Sequence, residues 1–327
     1  MNDLERITDF MAAGIGTVAK PGDRVLILLP DGRAYSQADL LFKGTKKFGA
    51  KPLVASFDIP APELLRIIEE TECDVIFAYT RRLFRLTREL QTRTDLSNRV
   101  GVLFLAAEYL PDPMRQDLQK IWGCRIHTHY GLTEMGLGVA VECAAGDGYH
   151  FNEADLILEV VDPLTGELVE DGVEGELVFT TLNRQAMPLI RYRTHDLSRV
   201  IPDPCACGAS SLLKFGAVKK RLENIVNIGD RDELYPSLFD NVLFEFPGIL
   251  DYQVTIKKDD GLDRLDFRIE MLPGEAPIPE ICQKLLASPI ISKNISSGRM
   301  SPPSVEAAVP GFGLSIGREK KMILDCR

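Results

Sequence analysis

No apolar run in this 327-residue sequence approaches the length needed to cross a bilayer, and the N-terminal MNDLERITDF lacks the basic region and apolar core of a secretion signal. A membrane partner is therefore excluded and a cytoplasmic protein is predicted. Nor is there a polybasic run. The net charge is -10, with acids and bases interspersed, which argues against nucleic acid as a partner. Small anionic ligands stay open, because a local site can oppose the global sign. Internal repeats and low-complexity tracts are missing. The seven cysteines do not read as a disulfide framework in a cytoplasmic chain. Cys73, Cys124, Cys282 and Cys326 are scattered and read as small buried or incidental residues.

What the chain does have is apolar content, 45% of its residues, enough for a large core and, at this length, for two or three domains. The first part alternates helix-like and strand-like segments. Leu4, Ile7, Phe10 and Met11 have helical spacing, and the continuous run Val25 to Leu29 reads as a buried parallel strand. Further strands are expected at 52–57, 74–79, 100–105 and 125–129, with helices at 61–71, 82–90 and 113–122. From Gly138 to Val200 short strands and turn residues predict an antiparallel sheet or small barrel. A third unit, with helices at 235–246 and 279–286, strands at 252–257 and 263–271 and a loose tail, is expected behind a hinge near residue 221. The expected fold is α/β: an α/β layered domain over 1–140, a β-rich subdomain over 141–219, and a small α+β C-terminal domain over 220–327.

The run His129-Tyr130-Gly131-Leu132-Thr133-Glu134 places a ring, a hydroxyl and a carboxylate around one glycine. The ring suits stacking on a base, Gly131 admits close backbone approach, Thr133 can donate to a phosphoryl oxygen, and Glu134 can hold Mg²⁺. A Tyr-Gly pair after a buried strand also suits an ordinary turn, so the run takes its meaning from its surroundings. Cys143, His150, Cys205 and Cys207 supply three thiols and an imidazole, a full tetrahedral zinc set with no open position, hence a structural one. The alternative is unrelated free thiols, since the spacing departs from the usual two-residue knuckles.

Tyr130 to Glu134, Gly175 to Leu182, Ala186-Met187-Pro188-Leu189-Ile190-Arg191-Tyr192-Arg193-Thr194-His195-Asp196, Pro204 to Gly208 and Arg221 to Asn224 occur in one order and spacing. In these stretches the chain resembles phenylacetate–coenzyme A ligase-like proteins of the adenylate-forming superfamily. The resemblance implies a large α/β domain, a β-rich subdomain and a mobile C-terminal domain. It implies ATP-dependent formation of an acyl-adenylate, then of an acyl-CoA, with a carboxylic acid and coenzyme A as partners and ATP/AMP, Mg²⁺ and structural zinc as cofactors. Tyr130 would stack on adenine, with Gly131 beside it and Ala107 and Glu108 lining the adenine pocket. Thr133 would contact the AMP phosphate, and Glu134 would bind Mg²⁺. Asp196 would accept the ribose hydroxyls, and Arg221 would contact ribose or phosphate. Taken singly, Asp196 could instead be an ion-pair partner and Arg221 part of a solvated basic face. Cys143, His150, Cys205 and Cys207 match zinc ligands. The catalytic lysine is assigned to Lys320 in preference to Lys321. His195 stands where the family usually has glycine.

The Ser/Thr/Gly-rich loop that holds the outer phosphates of ATP has no counterpart here, and in the family it lies upstream of the helix at Asn2. The expectation is a truncated product or a short form, with a homodimer contact or another partner replacing that segment. The alternative reading is a non-catalytic, zinc-containing protein that binds AMP or acyl-adenylate or serves in interaction. Residues 30–48 are expected to overlap the acyl pocket.

Overall fold

The computed structural model describes residues 3–30, 33–209, 211–229, 232–274, 276–308 and 322–327. Helix α1 (Asp3–Gly16) leads into β1 (Arg24–Leu28), α2 (Gln37–Phe48), β2 (Lys51–Val54), α3 (Ala61–Thr71), β3 (Val75–Tyr79), α4 (Thr80–Gln91), β4 (Val102–Ala106), α5 (Asp112–Trp122) and β5 (Arg125–Tyr130). Strands β5-β4-β3-β1-β2 are parallel neighbours in that order. The near-continuous apolar sequences of β1, β3 and β4 follow from burial on both faces, by α1 and α2 on one side and α3 to α5 on the other. The sheet continues antiparallel through β6 (Ala140–Glu142) and β7 (Tyr149–Phe151).

A second, antiparallel sheet takes β8 (Leu156–Val161), β9 (Gly175–Thr181) and β10 (Tyr192–Ser198). The chain then returns to the first sheet as β11 (Lys214–Phe215), beside β7, and adds β12 (Lys220–Arg221) to the second. A single 3₁₀ turn, Leu222–Asn224, precedes the hairpin β13 (Val226–Ile228) and β14 (Asp232–Leu234). Helix α6 (Pro236–Leu243), strands β15 (Ile249–Asp259) and β16 (Leu262–Met271), helices α7 (Ile278–Leu286) and α8 (Pro289–Ser296), and strands β17 (Ser304–Ala308) and β18 (Ile323–Asp325) complete the chain. The third sheet has the order β17-β16-β15-β18.

The region beyond Leu222 packs on α4 through a continuous apolar cluster that includes Leu83, Phe84, Phe239, Phe244 and Phe267. Phe84 meets Phe244 edge to face at 5.4 Å. Polar ties flank this core. Arg85 donates twice to Glu270, at 2.7 and 2.8 Å, both groups being buried, and Arg81 reaches Asp251 at 3.3 Å. The alternation expected in the first part is present, whereas 37–48 forms a full helix and the expected loose tail contains α8, β17 and β18. Among the described residues no helix is long and apolar enough to cross a membrane.

Candidate functional site

Strand β5 ends at Tyr130, and the chain turns at once. A Cβ on Gly131 would lie 1.8 Å from the Leu137 carbonyl oxygen and 2.7 Å from the His129 ring, so glycine alone fits this crossing of backbones. The turn is closed by Leu137 N–H donating to the Leu132 carbonyl at 2.8 Å. From the second sheet, Asp196 is aimed at the same place by a register shift in β10 between Arg193 and Leu197. Within that bulge His195 adopts φ 62°, a conformation that disfavours a side chain. Its Nδ1 lies 2.9 Å from Glu223 Oε1 and its amide donates to Glu176 Oε1 at 2.9 Å, contacts that hold the bend without glycine.

The Tyr130 hydroxyl donates to Asp196 Oδ2 at 2.7 Å, and Arg221 Nη1 donates to Oδ1 at 3.2 Å. Asp196 is only 4% exposed. Burial pushes its carboxyl up from the ordinary range, while the Arg221 guanidinium and the Tyr130 hydroxyl pull it back. Each carboxylate oxygen keeps acceptor capacity beyond these bonds. Tyr130 is itself propped edge to face on Phe215, 5.4 Å away.

A cavity of about 150 Å³ is lined by Ala107, Glu108, Tyr130, Gly131, Asp196 and Arg221 together. These are six of the eight residues expected to serve the nucleotide. Ala107, just past β4, has φ 75°, and Glu108 accepts from Arg81 Nε at 2.7 Å. Thr133 and Glu134 do not line this cavity; they sit on the adjoining turn, Thr133 exposed and Glu134 half-buried. Glu134 neighbours Tyr192, whose hydroxyl is pushed up by burial first and by that carboxylate second. Lys320, like Lys321, lies outside the described residues.

Sequence reasoning did not single out Arg81, Tyr109, Tyr149, Ser237 and Asp240, which also line the cavity. Ser237 and Asp240 come from α6, beyond the 3₁₀ turn, and no local pattern announces them. His129 lines it too, with Nε2 buried and without a hydrogen-bond partner among the described residues. Phe10, Phe77 and Phe104 surround its ring, and burial drives it down to about 4, so it is neutral at pH 7.

Away from the cavity, Cys143, His150, Cys205 and Cys207 converge, their donor atoms all within 4.8 Å of one another. Cys143 Sγ lies 3.4 Å from Cys205 Sγ, and Cys207 Sγ lies 3.4 Å from His150 Nε2. The other imidazole nitrogen, Nδ1, faces the Leu213 carbonyl at 3.2 Å, which leaves Nε2 free to ligate. The Cys207 amide and the His150 imidazole hold the Cys205 thiol low.

Residues 79–184 match the family of AMP-binding enzymes. The chain is 32% identical over 216 residues to a phenylacetate–coenzyme A ligase of Aromatoleum evansii, covering 64% of this chain and 48% of that protein. It spans about half the length of the curated relatives it matches. Among solved structures it resembles a 2-hydroxyisobutyryl-CoA ligase in the postadenylation state in complex with R3-HIB-AMP. There the TM-score is 0.83 at 18% identity over 99% of this chain and 70% of that one. An open conformation of that ligase, in complex with 2-HIB-AMP and CoA, gives a TM-score of 0.64 at 19% identity, over 99% of this chain and 71% of that one. By its ordered motifs and its AMP-binding segment the chain resembles phenylacetate–coenzyme A ligases, and its fold is that of the adenylate-forming CoA ligases.

Proposed function

We propose that the cavity between β4, β5, β10 and α6 holds the AMP part of an acyl-adenylate, and that the protein is an AMP-forming acid–CoA ligase. The convergence of Ala107, Glu108, Tyr130, Gly131, Asp196 and Arg221 on one cavity carries this reading. Tyr130 and Ala107 flank the base, and Asp196, already oriented by Tyr130 and Arg221, accepts from the ribose hydroxyls. Thr133 would contact the phosphate from the turn, and Glu134 would hold Mg²⁺, whose charge would stabilise the departing pyrophosphate. In the first step a carboxylate oxygen of the acid attacks the α-phosphorus of ATP, the bond to the bridging oxygen breaks, and pyrophosphate leaves. In the second the thiolate of coenzyme A attacks the acyl carbon and AMP leaves with its bond electrons. Residues 220–327 form a unit that changes position between these steps.

Three sulfurs and one imidazole nitrogen at these separations fit a tetrahedral zinc ion, with Zn–S near ~2.3 Å and Zn–N near ~2.0 Å. Cys143, His150, Cys205 and Cys207 would hold it, and its contribution is to folding.

Calorimetric titration with AMP tests the cavity. The wild-type protein is expected to bind, and Asp196→Asn to bind about tenfold more weakly, ~1.4 kcal/mol. A folded wild-type protein with no AMP signal at millimolar concentration overturns the assignment. Acid-dependent ATP–pyrophosphate exchange across a panel of carboxylic acids tests the reaction, and its absence with AMP binding intact would leave a binding protein.

A further inference from the structure

The four-ligand cluster joins two hairpins that also build the aromatic wall of the cavity. Cys143 directly follows β6, and His150 lies within β7 next to Tyr149, which lines the cavity. On the other hairpin, Ile201 N–H donates to the Lys214 carbonyl at 2.9 Å and Gly216 N–H to the Arg199 carbonyl at 3.0 Å, so Cys205 and Cys207 occupy the intervening loop. The hairpins meet in the two-residue pairing of β11 with β7, His150 opposite Lys214 and Tyr149 opposite Phe215. Phe215 is fully buried, stacks on Tyr149 at 5.6 Å, and meets Tyr130 edge to face at 5.4 Å.

One side of this junction is therefore ligand and the other is wall. A two-residue strand pairing is marginal by itself, and the loop that carries Cys205 and Cys207 loses conformational entropy on docking. A metal that ties Cys143 and His150 to Cys205 and Cys207 supplies that cost in one step. Beyond the ligands, buried Lys214 pairs with Asp147 of the first hairpin, Leu213 N–H donates to Glu153 Oε1 at 2.6 Å, and Phe215 packs near the Phe151 and Phe179 rings, at 6.5 and 6.4 Å. The Tyr149 hydroxyl is fixed separately, 2.7 Å from Thr128 Oγ1. Phe215 has no such polar anchor. Its place behind Tyr130 and Tyr149 depends on β11 staying docked.

We infer that Phe215 and Tyr149 are positioning residues through which metal occupancy at Cys143, His150, Cys205 and Cys207 sets the affinity of the cavity for nucleotide. The inference rests on the reading of the cavity as an AMP site. Linkage makes it reciprocal: whatever factor the metal adds to AMP affinity, AMP adds to metal affinity.

The experiment uses the full chain, with zinc content measured first. Zinc affinity is measured by equilibrium competition with a chromophoric chelator, with and without saturating AMP, in the wild type and in Phe215→Leu. The wild type should hold one zinc, bind AMP, and hold zinc about tenfold more tightly when AMP is present. Phe215→Leu should retain its zinc and its far-ultraviolet circular dichroism, bind AMP more weakly, and lose most of the AMP-dependent gain in zinc affinity. Because competition compares the loaded with the stripped chain, the far-ultraviolet circular dichroism of the zinc-free protein is recorded beside it, and a gain that appears only where the stripped chain unfolds counts against the coupling. A wild type that binds AMP but holds zinc equally with and without it overturns the coupling and leaves the cavity assignment standing. So does a Phe215→Leu protein with the full gain, or a chain that binds no zinc. A zinc-loaded wild type that binds no AMP overturns the cavity assignment and the coupling with it.

Discussion

His129 lies on the strand that ends in Tyr130, and its surroundings decide its charge. Three phenylalanine rings face it and no acceptor reaches Nε2, so the cationic form has nothing to replace its lost water. Its pKa falls from the ordinary 6.5 to about 4. As pH drops below 6.5 the unfolded chain takes up a proton that the folded chain refuses, so stability falls until about pH 4 and the loss then levels off. The full loss is ~3 kcal/mol, from 1.36 kcal/mol per unit. His127, also lowered by burial, adds a loss of the same sign. Urea unfolding between pH 7.5 and 4 should show this slope in the wild type and a shallower one in His129→Gln; equal slopes would contradict the account. That Tyr130, Gly131 and Asp196 belong together was legible only in the order of the motifs, since taken singly Asp196 also suits an ion pair, and it makes one with Arg221. The neutral state of His129 was not legible, since the Phe10, Phe77 and Phe104 rings come from three other elements.

Helix α4 shows how far one element's sequence can be read. Arg81, Arg85 and Arg88 are spaced by four and three residues and so share a face, a pattern that by itself suits solvent. Here that face carries the region beyond Leu222: Arg81 meets Asp251, Arg85 meets Glu270, and Arg88 donates to the Pro247 carbonyl while pairing with Asp117 at 2.9 Å. Glu270 is only 1% exposed as a side chain, so removing Arg85 leaves its charge without its main counterion. Arg85→Ala should therefore cost ~3–5 kcal/mol in denaturant unfolding, whereas an exposed pair such as Arg66 with Glu63 should cost less than ~1 kcal/mol. Helix α2 illustrates the opposite difficulty. Gly44 reads as a weak point in a helix, yet a Cβ there would stand 2.5 Å from Met11 Cβ, so the glycine exists to let α1 and α2 cross closely. Helix α8 was hidden because it is only eight residues long and its stability is tertiary. Ile291 is buried, and Asn294 donates to Asp232 Oδ2 at 2.9 Å and accepts from Arg299 at 2.7 Å.

At the scale of the whole molecule, the cavity draws Tyr130 and Asp196 from before the 3₁₀ turn and Ser237 and Asp240 from after it. A ligand that touches both sides binds only while the two are docked, so its binding energy adds to the docking energy of α4. The apolar cluster running from α4 into α6, β15 and β16 is continuous, which predicts one cooperative thermal transition for the two regions in the wild type. AMP at a hundredfold excess over its dissociation constant should raise the stability of that transition by ~2.7 kcal/mol. Arg85→Ala weakens docking without touching the cavity lining. In that variant the region beyond Leu222 should melt first, as a separate transition that AMP raises in temperature, moving it back toward the main one. Scanning calorimetry with and without AMP reads both effects. Two transitions in the unliganded wild type would contradict the continuous core. An early transition in Arg85→Ala that AMP leaves unmoved would mean that nucleotide contacts with α6 do not contribute to holding the two regions together.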